Sequence, residues 1–279
     1  MSYDEVLEAL EATSRTFFLP VTRLPRGLQE AVASAYLCMR AIDEIEDHPT
    51  LPAGEKARIL RAVSRHFQAQ TTLEGFDADS LRATLKDYRG PLPSVTLRLA
   101  DWACRAPAAI APRIWEAAAA MADRMADWAD VGWAIQSPTD LDRYTFSVAG
   151  SVGILLCDLL AFFEGDQIDR SKAVLFGRGL QLVNILRNRT EDVHRGFDFF
   201  PPGWGFDQMA EYAGECLAQA EAYMRTVSSR AFHVMYSIPL KLAMATLEAL
   251  RRGEAKLSRA AVMALVQQAD TEAETAAAG

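Results

Sequence analysis

The sequence predicts an all-α protein, and three observations carry that expectation. Strong helix formers, Ala, Leu, Glu, Arg and Met, dominate the chain. Asn-Gly and Asp-Gly hairpin turns are absent, as are long alternating runs of Val, Ile and Thr. The breaks, such as Gly90-Pro91-Leu92-Pro93, Ser137-Pro138, Glu164-Gly165-Asp166 and Pro201-Pro202-Gly203, are short, and none is a long linker.

A short helix is expected over residues 4–12. The next starts after Leu24-Pro25, with Pro near its first turn, and runs to about Asp47. The segment from His48 to Gly54 reads as a loop, because it holds two prolines and a glycine. Further helices are expected over 55–69, 79–88, 94–103, 112–135, 141–164, 171–194, 207–229 and 239–252. A last one follows Ser258, its expected N-cap. No repeat of fixed period is visible. One α domain over 1–279 is therefore expected, with the polar, Ala-rich tail 270–279 fraying.

Half of the 279 residues are apolar, enough for a large core. The net charge is −8, from 29 Lys and Arg against 37 Asp and Glu, and no basic block stands out. Nucleic acid is thereby excluded as a partner, since phosphate contacts need a basic surface. An acidic chain suits a site in which divalent cations hold an anionic substrate. Cys38, Cys104, Cys157 and Cys216 form no C-x-x-C pair and are expected to be buried, reduced thiols of a cytoplasmic protein. No signal peptide or lipid anchor is expected. The apolar stretch 147–163, interrupted by Asp158, is short for a membrane span and lacks basic flanks. It reads as a buried bundle helix, so no transmembrane segment is expected.

Two helical stripes carry the chemistry. At about 100° per residue, Tyr36, Arg40, Asp43 and Asp47 fall within one narrow sector of a helix. Carboxylates at i and i+4 can share Mg²⁺, which demands oxygen ligands, and Arg40 one turn earlier can grip a phosphate held by the same ions. Taken alone, this spacing also fits an Arg–Asp ion pair on a solvated face. The second stripe comprises Gln181, Asn184, Asn188, Asp192 and Arg195, on a helix whose other positions include Leu, Val and Ile. Such a stripe should face a polar cavity. Two acidic helices facing each other would form a polynuclear metal site; the alternative is a capping and ion-pair network near a helix end.

The run Tyr36–Asp47 resembles the first aspartate-rich motif of the squalene and phytoene synthases, where Tyr-Leu and Arg-Ala precede D-x-x-E-D. Asn184–Asp192 resembles their second, N-I-x-R-D-x-x-E-D. Ser14-Arg15-Thr16-Phe17, the Tyr144–Gly153 segment and Phe197–Pro201 match further family signatures, in family order. The resemblance implies a single isoprenoid-synthase-type helical bundle around a central cavity. It implies Mg²⁺, with Mn²⁺ as an alternative, and head-to-head condensation of two farnesyl or geranylgeranyl diphosphates through a cyclopropyl diphosphate.

Roles follow from the same resemblance. Asp43, Asp47, Asn188, Glu191 and Asp192 become the metal set. Arg40 and Arg187 neutralise the leaving diphosphate, with Arg195 beside them. Tyr36 and Tyr144 join them as catalytic residues, Tyr144 matching a tyrosine that assists proton handling. Ser14, Phe17, Gln181 and Asn184 become substrate-binding. Val148 and Gly150 offer small side chains where a prenyl tail can approach the backbone. Ordinary helix packing explains those two equally well, a core tyrosine explains Tyr144, and an N-cap explains Ser14. His48, His66, His194 and His233 show no metal spacing.

Asn188 stands where the family has Asp, which removes a charge. The resemblance fades after about residue 225, and no anchoring helix like that of eukaryotic squalene synthases is expected. Two other functions therefore stay open. One is cyclisation of a single prenyl diphosphate or prenylation of another acceptor; the other is a non-catalytic lipid-binding or assembly subunit. NADPH use is left undecided, because no G-x-G-x-x-G loop is present and the family uses none; substrate chain length and oligomeric state are also left undecided. Peripheral membrane contact for product release is compatible with this reading.

Overall fold

The structure is a computed structural model that describes residues 2–14, 17–86, 92–254 and 257–276, with side chains through residue 269. Among these the regular elements are all helical, as expected. The chain forms two compact units, Met1–Trp133 and Ala134–Gly279.

The first unit contains α1 (Tyr3–Ser14), α2 (Phe18–Val21), α3 (Arg26–Glu46), α4 (Ala53–Gln68), α5 (Ala78–Lys86), α6 (Ser94–Leu97), α7 (Leu99–Ala103) and α8 (Ala111–Asp130). Pro25 enters α3 in an extended conformation, and its missing N–H costs nothing at a helix start. α3 then buries residues on almost every side, from Leu28 to Ile45, against α1, α2, α4, α6, α7 and α8. Such a helix makes a rigid base for the polar groups at its C-terminal end. Two buried hydroxyls tie its flank: Ser34 donates to the Trp102 carbonyl at 2.8 Å and Thr96 to the Ala41 carbonyl at 3.0 Å. α4 lies antiparallel to α8, with Arg61 bonded to Asp127 at 3.0 Å and Gln68 to Asp123 at 3.1 Å.

Two expected helices are revised here. The one over 94–103 breaks at Arg98 into α6 and α7 (φ −97°, ψ 13°), so that Thr96 and Trp102 can both bond to α3. The one over 112–135 ends at Asp130, because Gly132 and Trp133 take positive φ of 62° and 54°. The end of the helix expected over 79–88, and Gly90-Pro91, lie outside the described residues.

The second unit opens with one apolar helix from Pro138 to Glu164: α9 (Pro138–Thr145), a π turn (Phe146–Gly150) and α10 (Ser151–Glu164). It begins three residues before the expected Leu141, because Ser137 caps it by accepting the Asp140 N–H at 3.2 Å. By length and composition this helix is long and apolar enough to cross a membrane, and 44% of its most apolar window is buried. α11 (Arg170–His194), α12 (Phe206–Met224), α13 (Arg230–Arg251) and α14 (Arg259–Ala276) follow. Ser258 caps α14 as expected, bonding the Ala261 N–H at 3.1 Å. Residues 277–279, the end of the tail, lie outside the described residues.

Pro239 does not start a helix; it lies inside α13. Proline cannot donate to the carbonyl of Met235. The Ser229 cap, bonded to the Phe232 N–H at 3.2 Å, and the burial of Phe232, Val234, Met235 and Tyr236 carry the helix through it.

α11 is held against the π turn and α10 by two glycines. A Cβ on Gly153 would lie 2.4 Å from the Ala173 carbonyl oxygen, and one on Gly177 would lie 2.4 Å from that of Ala149. Gly177→Ala should therefore destabilise the fold by about 1–3 kcal/mol in urea unfolding. Gly54→Ala, which meets nothing within 4 Å on α4, should leave stability unchanged or raise it.

Candidate functional site

The last two turns of α3 gather the first cluster. Asp43, Glu46 and Asp47 offer carboxyl oxygens that all lie within 4.8 Å of one another. Glu46 is buried and Asp47 exposed, while the Asp43 side chain keeps 22% of its surface open to solvent. Arg40 donates to Asp43 at 2.6 Å and also to Glu44, and its Nε is buried with no hydrogen-bond partner among the described residues. The Glu46 carboxyl accepts from the Trp133 indole N–H, and Lys56 donates to the Glu46 backbone carbonyl. Burial, and then the neighbouring Asp47, push both the Asp43 and the Glu46 carboxyls above the ordinary carboxylate range.

This donor set suits a hard divalent cation. It offers oxygen ligands at close range, and their mutual repulsion is what such an ion relieves. Among the described residues, it is the group of three acidic side chains placed to hold a metal.

Upstream, the Tyr36 phenol donates to the Thr13 carbonyl at 3.1 Å, and the Phe17 ring stacks on Tyr36 with centroids 5.4 Å apart. Burial pushes the Tyr36 phenol up. Ser14 ends α1 rather than capping a helix, and its buried hydroxyl oxygen lies beside that phenol. Arg15 and Thr16 of this signature lie outside the described residues.

The second stripe lies on α11, in the other unit. Here Arg187 turns onto the amides, donating to Asn184 Oδ1 at 2.7 Å and to Asn188 Oδ1 at 3.2 Å. Asn188 in turn donates to Asn184 Oδ1 at 3.2 Å. The amide oxygens thus face a guanidinium, where the first cluster gathers carboxyl oxygens around one point. Arg195 sits 3.9 Å from Asp192, Glu191 is exposed, and Gln181 is half-buried one turn before Asn184.

Tyr144 is 5% exposed, and its ring stacks on Phe199 at 4.6 Å. Val148 is half-buried in the π turn. At Gly150 the adjoining space is filled: an added Cβ would meet Val174 Cγ1 at 3.2 Å and Phe146 at 3.3 Å. Helix packing accounts for Gly150 here. Cys38, Cys157 and Cys216 are buried, Cys104 is half-buried, and all four are free thiols.

The model of the family described as squalene/phytoene synthase matches residues 10–203 of the chain. The chain belongs to the squalene/phytoene synthase family. It is similar to the squalene synthase of Schizosaccharomyces pombe, with 29% identity over 88% of this chain and 59% of that protein. It is also similar to the squalene synthase of Eremothecium gossypii, at 31% over 70% of this chain and 45% of that one. The presqualene diphosphate synthase of Botryococcus braunii is 30% identical over 66% of this chain and 44% of its own. The chain thus spans about half the length of the curated relatives it matches. Among solved structures, a complex of TcSQS with the ligand E5700 superposes with a TM-score of 0.75 at 23% identity, covering 95% of this chain and 84% of that one. A dehydrosqualene synthase gives 0.68 at 18%, covering 98% and 96%. The fold is therefore the helical isoprenoid-synthase fold of this family.

The sequence reading missed Glu46, Lys56 and Trp133. For Glu46 a signal was available, since D-x-x-E-D places carboxyls at i, i+3 and i+4. Lys56 and Trp133 carry none, because their placement is tertiary.

The raised carboxyls set a pH dependence. A carboxyl whose folded pKa lies above its unfolded value is favoured in the fold only while protonated. Stability is therefore lost as pH rises from the ordinary carboxylate range toward and past neutrality. Metal-free protein should melt lower at about pH 8 than at about pH 5, and millimolar Mg²⁺ should raise the melting temperature more at the higher pH. Asp43→Asn should flatten both trends in the same thermal scans.

Proposed function

We propose that the chain is an Mg²⁺-dependent prenyltransferase that condenses two farnesyl or geranylgeranyl diphosphates head to head. The observation that carries the reading is the Asp43–Glu46–Asp47 cluster beside Arg40, on a helix whose sequence carries the family's first acidic motif. Diphosphate is a poor leaving group until its charge is neutralised, which is the chemistry that bound Mg²⁺ supplies. Asp43, Glu46 and Asp47 would hold the ion. Arg40, braced by Asp43 and Glu44, keeps a fixed positive charge one turn away. On α11, Arg187 has the Asn184 and Asn188 amides as neutral partners and retains its charge for phosphate oxygens. Tyr144, shielded from water and stacked on Phe199, takes the proton-handling role of the family tyrosine that it matches. Both motifs are required for turnover in this reading.

A second reading keeps the ionisation and changes the acceptor: one prenyl diphosphate cyclises, or another small molecule is prenylated. The Asn184–Arg187–Asn188 network favours it, since it departs from the aspartate pattern. The carboxyl cluster of α3 speaks against a non-catalytic subunit.

Labelled farnesyl and geranylgeranyl diphosphates, incubated with Mg²⁺ with and without NADPH, separate these readings. A dimeric hydrocarbon or cyclopropyl diphosphate supports the first. A cyclised or acceptor-linked product replaces it with the second, and no diphosphate release sinks both. Asp43→Ala or Asp47→Ala should lower diphosphate release by about a hundredfold or more while the helical circular dichroism is unchanged. Asn188→Asp should lower the Mg²⁺ concentration for half-maximal rate, because a carboxylate is the stronger ligand. Superimposable Mg²⁺ curves would mean that this departure is without consequence.

A further inference from the structure

Glu46 raises a physical question that the metal reading alone does not answer. A carboxyl that is 6% exposed is costly to bury without donors. One residue from outside α3 supplies a donor to the carboxyl, and a second holds the backbone that carries it. Trp133, which follows α8, donates its indole N–H to Glu46 Oε1. Lys56, on α4 and itself 5% exposed, donates to the Glu46 backbone carbonyl and lies 4.9 Å from the centroid of the Trp133 indole.

The backbone points the same way. Among the described residues Trp133 is the non-glycine residue with positive φ, at 54°. A bulky side chain keeps that left-handed conformation only where its surroundings over-determine it. Here the indole is 6% exposed, bonded at its N–H and faced by an ammonium. The Lys56 ammonium also sits where α3 ends, where unpaired carbonyls favour a cation.

We infer that Trp133 and Lys56 are positioning residues for the first acidic motif, aiming the Glu46 carboxyl at the oxygens of Asp43 and Asp47 and clamping the last turn of α3. This rests on the reading that the motif holds Mg²⁺. The indole occupies one Glu46 oxygen and leaves the other for the ion. Lys56 fixes the main chain from which the carboxyl hangs and sets the tilt of the indole by lying over its face. Because a divalent cation competes with the indole N–H for electron density on one carboxyl, Trp133 also reports occupancy.

The test is a Mg²⁺ titration of the full chain, without substrate, read by calorimetry and by tryptophan emission. Wild type should show an emission change that saturates with the calorimetric isotherm. Trp133→Phe should lose that change and need about tenfold more Mg²⁺ for half-saturation. Lys56→Met should weaken Mg²⁺ to a similar degree. Lys56→Arg should stay within about twofold of wild type, since guanidinium can bond the carbonyl and stack on the indole. Circular dichroism melts establish which variants are folded. If Trp133→Phe does not fold, the wild-type emission and the contrast between the two Lys56 variants give the answer. Wild-type Mg²⁺ affinity in Trp133→Phe and Lys56→Met, with the emission change intact in the former, overturns the inference and leaves the metal reading standing. Absence of Mg²⁺ binding in wild type, or binding that Asp43→Ala leaves unchanged, removes the metal reading and the inference with it.

Discussion

Three carboxyl groups whose oxygens lie within 4.8 Å of one another at the end of one helix repel each other by a few kcal/mol per pair when ionised and partly shielded from water. Much of the first unit can be understood as a response to that repulsion. Arg40 offsets part of it from one turn upstream. Lys56 brings a second positive charge from α4 to the end of α3. Trp133 supplies the donor that a buried carboxyl needs. The apolar flanks of α3 matter for the same reason. A helix buried from Leu28 to Ile45 cannot tilt or unwind to let its charges drift apart.

α11 meets its own polar stripe in the opposite way. Its oxygens are largely amides, and Arg187 already satisfies them at hydrogen-bond distance. The first cluster is unstable in charge and geometrically fixed; the second is satisfied within itself. A phosphate approaching α11 must compete with neutral amides for a guanidinium, which is a far weaker hold than a carboxylate exerts.

What was legible in the sequence was what local geometry determines. Pro25 and the apolar spacing after it gave α3 nearly to the residue, and wheel positions brought Arg40 and Asp43 to one stripe, where the structure bonds them. The Ser258 cap was readable for the same reason. Glu46 was passed over because it leaves that stripe, and its significance depends on Trp133, 87 residues away in the chain. Lys56 resembles any solvated helix lysine until α3 is laid against it. Pro239 misled because proline breaks helices in isolation, whereas here the burial of Phe232 and its neighbours outweighs one missing hydrogen bond. Arg98 misled in the reverse sense. Nothing local stops a helix there, but the hydroxyl and carbonyl partners on α3 do.

The paired glycines between α10 with its π turn and α11 act as a keyed joint. Each backbone carries a notch that receives a carbonyl oxygen from the other, one at Gly153 and one at Gly177. A single notch would still allow pivoting; two of them, facing opposite ways and separated along the axis, also forbid sliding. Displacement by one helical turn in either direction would drive a carbonyl into a side chain. Tyr144, which begins its run of chain just before the π turn, is thereby indexed to the residues of α11 like teeth on a gear. The two notches thus lock this pair of helices into a single register.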